Sequence, residues 1–166
     1  AGRETRGERA RVRALGGDAR ALRRPDGKPE ASDGRGLSAS HAGDLTMAVA
    51  ARGSVGCDIE RVEERTPEVW RDLLGAEHFA LAELVARETG ETLSASATRV
   101  WAALECLKKA GAGVLAPLVF GEAGGDGWVA LAAGASSVAS CVLAVEGEEN
   151  GLALALLAGG EVDARL

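Results

Sequence analysis

Three acidic residues and one lysine have the types and spacing to hold a metal ion. Asp58 and Glu60 lie two residues apart in the alternating stretch 54–61, so on a strand both carboxylates point to the same side. Glu105 and Lys109 lie four residues apart in the stretch 94–110, so on a helix they share a face. Carboxylate oxygens are the ligands that Mg2+ prefers, usually together with water and substrate phosphates. The spacing therefore indicates a magnesium site with a lysine beside it.

Each of these two stretches also has a purely structural interpretation. Glu105 and Lys109 would form an exposed ion pair between neighbouring turns, worth a few tenths of a kcal/mol. Asp58 and Glu60 would be the charges that an edge strand shows to water. Neither stretch by itself decides between the structural and the chemical interpretation, so both stay open.

Four short motifs, in one order, resemble the 4'-phosphopantetheinyl transferases. They are Gly27-Lys28-Pro29, then Leu37-Ser38-Ala39-Ser40-His41, then Gly56-Cys57-Asp58-Ile59-Glu60, and finally Trp101-Ala102-Ala103-Leu104-Glu105 with Lys109. The Ser-His segment precedes the Asp-Glu strand, which is the order of the surfactin-synthetase type rather than of the small trimeric carrier-protein synthases. The helix is also similar to versions built into iterative polyketide synthases of the enediyne kind, on the residues Glu105-Cys106-Leu107-Lys108-Lys109-Ala110-Gly111.

The resemblance implies a magnesium-dependent enzyme that moves 4'-phosphopantetheine from coenzyme A to a serine of an apo acyl carrier protein. It implies Asp58, Glu60 and Glu105 as ligands of Mg2+. Glu105, or a water beside it, would also take the serine proton, and Lys109 would contact the pyrophosphate. One position departs from the family pattern, because Leu104 stands where the helix usually carries a lysine.

A second group of residues is assigned to coenzyme A by the resemblance. Lys28, Ser40 and His41 would receive the 3'-phosphate, with Arg35 or an arginine of the first segment assisting. The structural alternatives are a surface turn histidine for His41 and an ordinary turn lysine for Lys28. The carrier protein would contact exposed residues between Glu77 and Thr89, whose apolar members are shared between core and docking surface.

The order of elements predicts an α+β domain with antiparallel sheet packed against helices. Strands are expected at 19–24, 28–31, 37–40, 45–51 and 54–61, helices at 3–15, 67–74, 77–88 and 94–110, and further strands at 118–121, 128–132, 137–145 and 152–157. The resemblance implies one phosphopantetheinyl-transferase-like domain over residues 1–166, with an abbreviated first half (1–57) and a metal-binding second half (58–166). A neighbouring domain or oligomerisation could complete the short half.

Composition limits the cellular compartment and the binding partners that we expect for the chain. The chain has no apolar run of membrane-spanning length and no signal-peptide pattern at its start. Its three cysteines are widely spaced in apolar contexts, which predicts buried free thiols in a reducing cytoplasm. Residues 1–35 hold ten Arg and Lys against six Asp and Glu, but no aromatic residues for stacking, so a nucleic-acid partner is disfavoured. The start at Ala rather than Met favours a piece of a larger synthase.

Two other functions remain as alternatives. A non-catalytic domain that keeps the fold for carrier docking or synthase assembly is supported by Leu104 and by the short first half. A nucleic-acid-binding module would use the arginine-rich start and would bind with a steep salt dependence.

Overall fold

The computed structural model describes residues 6–16, 19–112 and 117–159. Within them, three helices and nine strands form an α+β architecture with two antiparallel sheets, as predicted. The first sheet has four strands in chain order, which are β1 (Ala21–Arg23), β2 (Pro29–Ala31), β3 (Gly36–Ala42) and β4 (Leu45–Ala51). Helix α1 (Arg6–Leu15) packs on β3 and β4, and Leu15 forms a small core there with Ala31 and Leu37. The start of the helix predicted at 3–15 lies outside the described residues.

The second sheet has five strands, and its edge strand is β5 (Val55–Arg61). Its remaining strands are β6 (Leu118–Ala123), β7 (Val129–Ala133), β8 (Ser136–Val145) and β9 (Glu148–Ala158), and the spatial order is β5-β9-β8-β7-β6. Asp58 is opposite Ala155 in the antiparallel register of β5 and β9. The other edge of β5 lies against β3 of the first sheet, so β5 is the junction between the two sheets.

Helix α2 (Pro67–Thr89) is interrupted where the sequence predicts a break. Thr66 caps it by accepting a hydrogen bond from the Val69 N–H, and Pro67 occupies the first turn, where its missing N–H costs nothing. Gly75 has φ 76° and ψ 163° inside the helix, a conformation that glycine adopts without steric cost. The helices expected at 67–74 and 77–88 are the two arms of this kinked helix.

Helix α3 (Leu93–Ala110) lies between α2 and the second sheet. Its cap is Thr92, which accepts a hydrogen bond from the Ala95 N–H at 3.2 Å, so the expected start at Ser94 is displaced by one residue. The Ser94 hydroxyl instead accepts from the Trp70 indole at 3.3 Å. The helix ends at Gly111 in the left-handed conformation, as predicted.

The main core fills the space between the two long helices and the inner face of the second sheet. Val100 and Leu107 of α3 are buried, whereas Leu104, on the same face of the helix, is only half-buried. The sequence left open whether the apolar residues between Glu77 and Thr89 belong to the core or to a docking surface. They belong largely to the core, since Phe79 and Val85 are buried. No helix among the described residues is long and apolar enough to span a membrane.

Candidate metal and anion site

Strand β5 and helix α3 approach each other so closely at Gly56 that no side chain would fit between them. A Cβ built on Gly56 would lie 2.2 Å from the Cys106 carbonyl oxygen and 3.1 Å from the Ala110 Cβ. The strand therefore needs glycine at this position. Asp58 and Glu60 follow on the same side of the strand, so the close approach brings both carboxyl groups against α3.

Asp58 is buried, with 3% of its surface exposed, and its two carboxylate oxygens have different surroundings. Oδ1 accepts hydrogen bonds from the Ser40 hydroxyl and from the Lys109 ammonium, both at 2.7 Å. Oδ2 is buried and has no hydrogen-bond partner within the described part of the chain. Although β5 is an edge strand, the interpretation that it shows Asp58 to water is wrong, because helix α3 and strand β3 cover it.

Glu60 lies beside Asp58 and is half-buried. Burial raises the pKa of Glu60, and the nearby charge of Asp58 raises it further. A hydrogen bond from Trp101 and the more distant Lys109 oppose this shift by favouring the ionised form. Two adjacent carboxyl groups in a covered site leave negative charge that a cation would neutralise.

Glu105 is not turned toward these two carboxyl groups. Its carboxylate pairs with Lys108, while Lys109 pairs with Asp58, so the predicted pair of Glu105 with Lys109 does not form. Among residues 6–16, 19–112 and 117–159, no three His, Cys, Asp or Glu side chains are grouped closely enough to hold a metal ion. Glu105 nevertheless lies one turn from both Trp101 and Lys109, in the helical row that faces β5.

Strand β3 contributes two serines to the site, of which the sequence interpretation used only one. The Ser38 hydroxyl accepts from the Cys57 N–H at 3.0 Å, and the Ser40 hydroxyl donates to Asp58. Alternation along a strand places these two serines on one face, which is the signal that could have identified Ser38. His41 lies on the opposite face of the strand and is exposed.

A cavity of about 730 Å³ with a strongly basic wall opens beside Lys109. Its cationic residues are Arg11, Arg24, Lys28, Arg35 and Lys109. Two acidic residues also line it, and Asp26 and Glu30 both form ion pairs with Arg24. This excess of positive charge fits a ligand that carries several phosphates.

Arg11 and Lys28 are the two cations of this cavity whose positions leave them available to bind an anion. The Arg11 Nε atom is buried and has no hydrogen-bond partner among the described residues. The sequence singled out the arginine-rich segment but not this arginine, because nothing in the local pattern distinguishes it. The Lys28 ammonium lies 3.1 Å from where a Cβ on Gly111 would stand, next to the carboxyl end of α3, whose partial negative charge favours a cation.

The expected group of Lys28, Ser40 and His41 is divided among three cavities. Lys28 lines the large basic cavity, whereas His41 lines a cavity of about 490 Å³ together with Glu60 and Trp101. Ser40 and His41 share a third cavity of about 440 Å³, whose wall also includes Arg11. Arg11 and Ala39 line both the Lys28 cavity and this third cavity, so Arg11 is a cation that borders both expected parts of the anion site.

The fold and the site together define a class of protein, namely an α+β domain with a buried aspartate and a half-buried glutamate beside a basic cavity. No protein-family model matches the chain, and a search of curated proteins finds no match.

Proposed function

We propose that this chain is a 4'-phosphopantetheinyl transferase of the surfactin-synthetase type that modifies a serine of an acyl carrier protein in an iterative polyketide synthase. The observation that carries the proposal is the environment of Asp58. This buried carboxylate has one oxygen without a hydrogen-bond partner among the described residues, a second carboxyl group beside it, and a basic cavity next to its lysine. A magnesium ion shared with substrate phosphates fits that combination, because Mg2+ binds through one or two carboxylates plus phosphate oxygens.

The site has two of the three expected magnesium ligands in place. Asp58 Oδ2 and the Glu60 carboxyl are the two ligands that we assign, and Glu105 is the third, after its carboxylate leaves Lys108. Bound there, magnesium would neutralise charge on the pyrophosphate of coenzyme A and so assist attack at phosphorus. Side chains of the protein perform the remaining tasks, which are binding and orienting coenzyme A and accepting a proton.

The basic cavity attracts and orients the polyanionic coenzyme A. Lys28 and His41 bind its 3'-phosphate with the help of Arg11, and Lys109 follows the charge that develops on the pyrophosphate. The serine oxygen of the carrier forms a new bond to the phosphorus next to pantetheine. The bond from that phosphorus to the bridging oxygen breaks, and adenosine 3',5'-bisphosphate leaves. Glu105 accepts the serine proton.

The two sheets correspond to the two unequal halves of this proposal. Helix α1 and the four-stranded sheet form the shortened first half, and the five-stranded sheet with α2 and α3 forms the second. Leu104, which replaces the family lysine, packs against the main core, and the cation next to Glu105 is Lys108 from one turn further on. We infer that Lys108 supplies part of the missing charge.

One observation favours a second candidate, a non-catalytic carrier-docking domain. The Glu105 carboxylate pairs with Lys108 rather than joining Asp58 and Glu60. A domain without turnover could keep this arrangement permanently, whereas the transferase must release Glu105 from Lys108.

Intact mass spectrometry of an apo carrier protein, after incubation with the chain, coenzyme A and Mg2+, tests the proposal. We expect a phosphopantetheine mass gain that disappears with a metal chelator and in the variants Asp58→Asn and Glu105→Gln. The matched control is Glu122→Gln, which removes an exposed glutamate of β6, outside the expected docking segment, and should leave the mass gain intact. Coenzyme A binding without any mass gain would select the docking domain. Absence of both binding and transfer would remove the proposal.

A further inference from the structure

Lys109 takes up the position of a cation inside the site. Its ammonium lies 2.7 Å from Asp58 Oδ1 and 3.2 Å from the Cys57 carbonyl oxygen. The Lys109 side chain is 33% exposed, whereas that of Asp58 is 4% exposed. The lysine therefore reaches from the basic cavity into a covered site, and its charge offsets a carboxylate that also accepts a hydrogen bond from the Ser40 hydroxyl.

We propose that Lys109 is a placeholder for the divalent cation, and that an anion in the basic cavity draws Lys109 away and thereby admits the metal. This inference rests on the proposed metal site at Asp58 and Glu60. An ammonium on Oδ1 and a divalent cation on Oδ2 of one carboxylate would be separated by only a few ångströms and would repel each other strongly in a covered site. The two cations therefore compete for Asp58.

The basic cavity provides the second position for Lys109. The same side chain lines that cavity, and its flexible stem allows the ammonium to move between Asp58 and an anion without any backbone movement. An anion that binds Lys109 in the cavity removes the competitor from Asp58, so it must raise the affinity for the metal. By thermodynamic linkage the metal raises the affinity for the anion by the same factor.

Binding of Mn2+, followed by the electron paramagnetic resonance signal of the free ion, tests the inference without any turnover. We expect Lys109→Met to bind Mn2+ at least about tenfold more tightly than the unmodified chain, because the competing charge is gone. The matched control is Arg24→Met, which removes a cation of the same cavity that pairs with Asp26 and Glu30 rather than with Asp58, and its affinity should stay within about twofold of the unmodified chain. Sulfate, as the anion probe, should tighten Mn2+ binding to the unmodified chain but not to Lys109→Met.

Lys109→Gln keeps the test valid if the methionine variant does not fold, since its amide can still donate to the Cys57 carbonyl. Equal or weaker Mn2+ binding by both Lys109 variants would overturn the placeholder role. The metal site would still stand in that case, provided that Asp58→Asn abolishes Mn2+ binding by the unmodified chain. If neither the unmodified chain nor either Lys109 variant binds Mn2+, the placeholder role and the metal site are both wrong.

Discussion

Gly56→Ala is expected to force α3 away from β5. The new Cβ would stand 2.2 Å from the Cys106 carbonyl oxygen, and ordinary contact begins at 3.4 Å, so one of the two elements must move by 1.2 Å. The obstructing atom is backbone, and β5 is held by its ladder with β9, so no side-chain rotation relieves the overlap. Overpacking in a core typically costs about 1–3 kcal/mol, and we expect the free energy of unfolding to fall by about 2–3 kcal/mol.

Urea unfolding followed by tryptophan fluorescence measures this loss by linear extrapolation. Trp70 is buried in the main core and reports its disruption. A loss of that size should lower the melting temperature by roughly 4–12 °C for a chain of this length. The matched control is Gly125→Ala, whose added Cβ meets nothing within 4 Å and which should stay within about 0.5 kcal/mol of the unmodified chain.

The same displacement should also damage the site. Lys109 and Asp58 belong to the two elements that separate, so their 2.7 Å contact must lengthen. A misplacement of about 1 Å can lower a reaction rate on the order of 100-fold, and we expect transfer to the carrier to fall by that order. If Gly56→Ala proves as stable as Gly125→Ala, the close packing of β5 on α3 is wrong, and with it the reason for glycine at this position.

Three further predictions concern stability and reactivity. Arg99 is buried and paired with Glu91 at 2.7 Å. Arg99→Met should therefore lower the free energy of unfolding in urea by about 3–5 kcal/mol, because it leaves the Glu91 charge unpaired. Adding Glu91→Gln should restore part of that loss. A loss below about 1 kcal/mol would show that the pair is solvated. Ser40→Ala removes a hydrogen bond to the Asp58 carboxylate and should cost about 1.5–3 kcal/mol, whereas exposed Ser137→Ala should be nearly neutral by the same measurement. The three cysteine thiols are buried, so they should react with Ellman's reagent only through the unfolding transition, and rapid reaction of the native chain would contradict their burial.

Burial also sets the acidity of one of these thiols. It raises the pKa of Cys106 to about 12, because the apolar surroundings disfavour the thiolate. The thiol is therefore neutral across the physiological pH range and acts as a small apolar side chain under Gly56. This agrees with the sequence prediction of buried free thiols, which rested on their apolar neighbours.

Local patterns predicted most of the secondary structure. The turn at Pro25-Asp26-Gly27, the cap at Thr66 and the stop at Gly111 are signals that act over a few residues, and each lies where the structure has it. The start of α3 was missed by one residue because Thr92 and Ser94 are both good capping residues. The hydroxyl of Ser94 instead accepts a hydrogen bond from the indole of Trp70, a residue 24 positions away in the chain.

Pairing between charged residues could not be predicted from spacing. Glu105 and Lys109 satisfy the rule for an ion pair on an isolated helix, yet Lys109 pairs with Asp58, 51 residues away. The buried pair of Arg99 with Glu91 was also missed, because a charged residue in a helix is normally assigned to its exposed face. In both cases the partner lies outside helix α3 and is brought to it by folding.

The sequence by itself determined the α+β class, the strand that carries Asp58 and Glu60, and the helix that carries Glu105 and Lys109. These features follow from residue periodicity and from backbone chemistry, which are local. Only the tertiary structure decided that Asp58 is buried with one oxygen that has no partner in the described part of the chain, that Lys109 neutralises it, and that Lys28 and His41 lie in different cavities that Arg11 borders. Burial and charge pairing depend on which elements meet, and that is set by the packing of the whole chain.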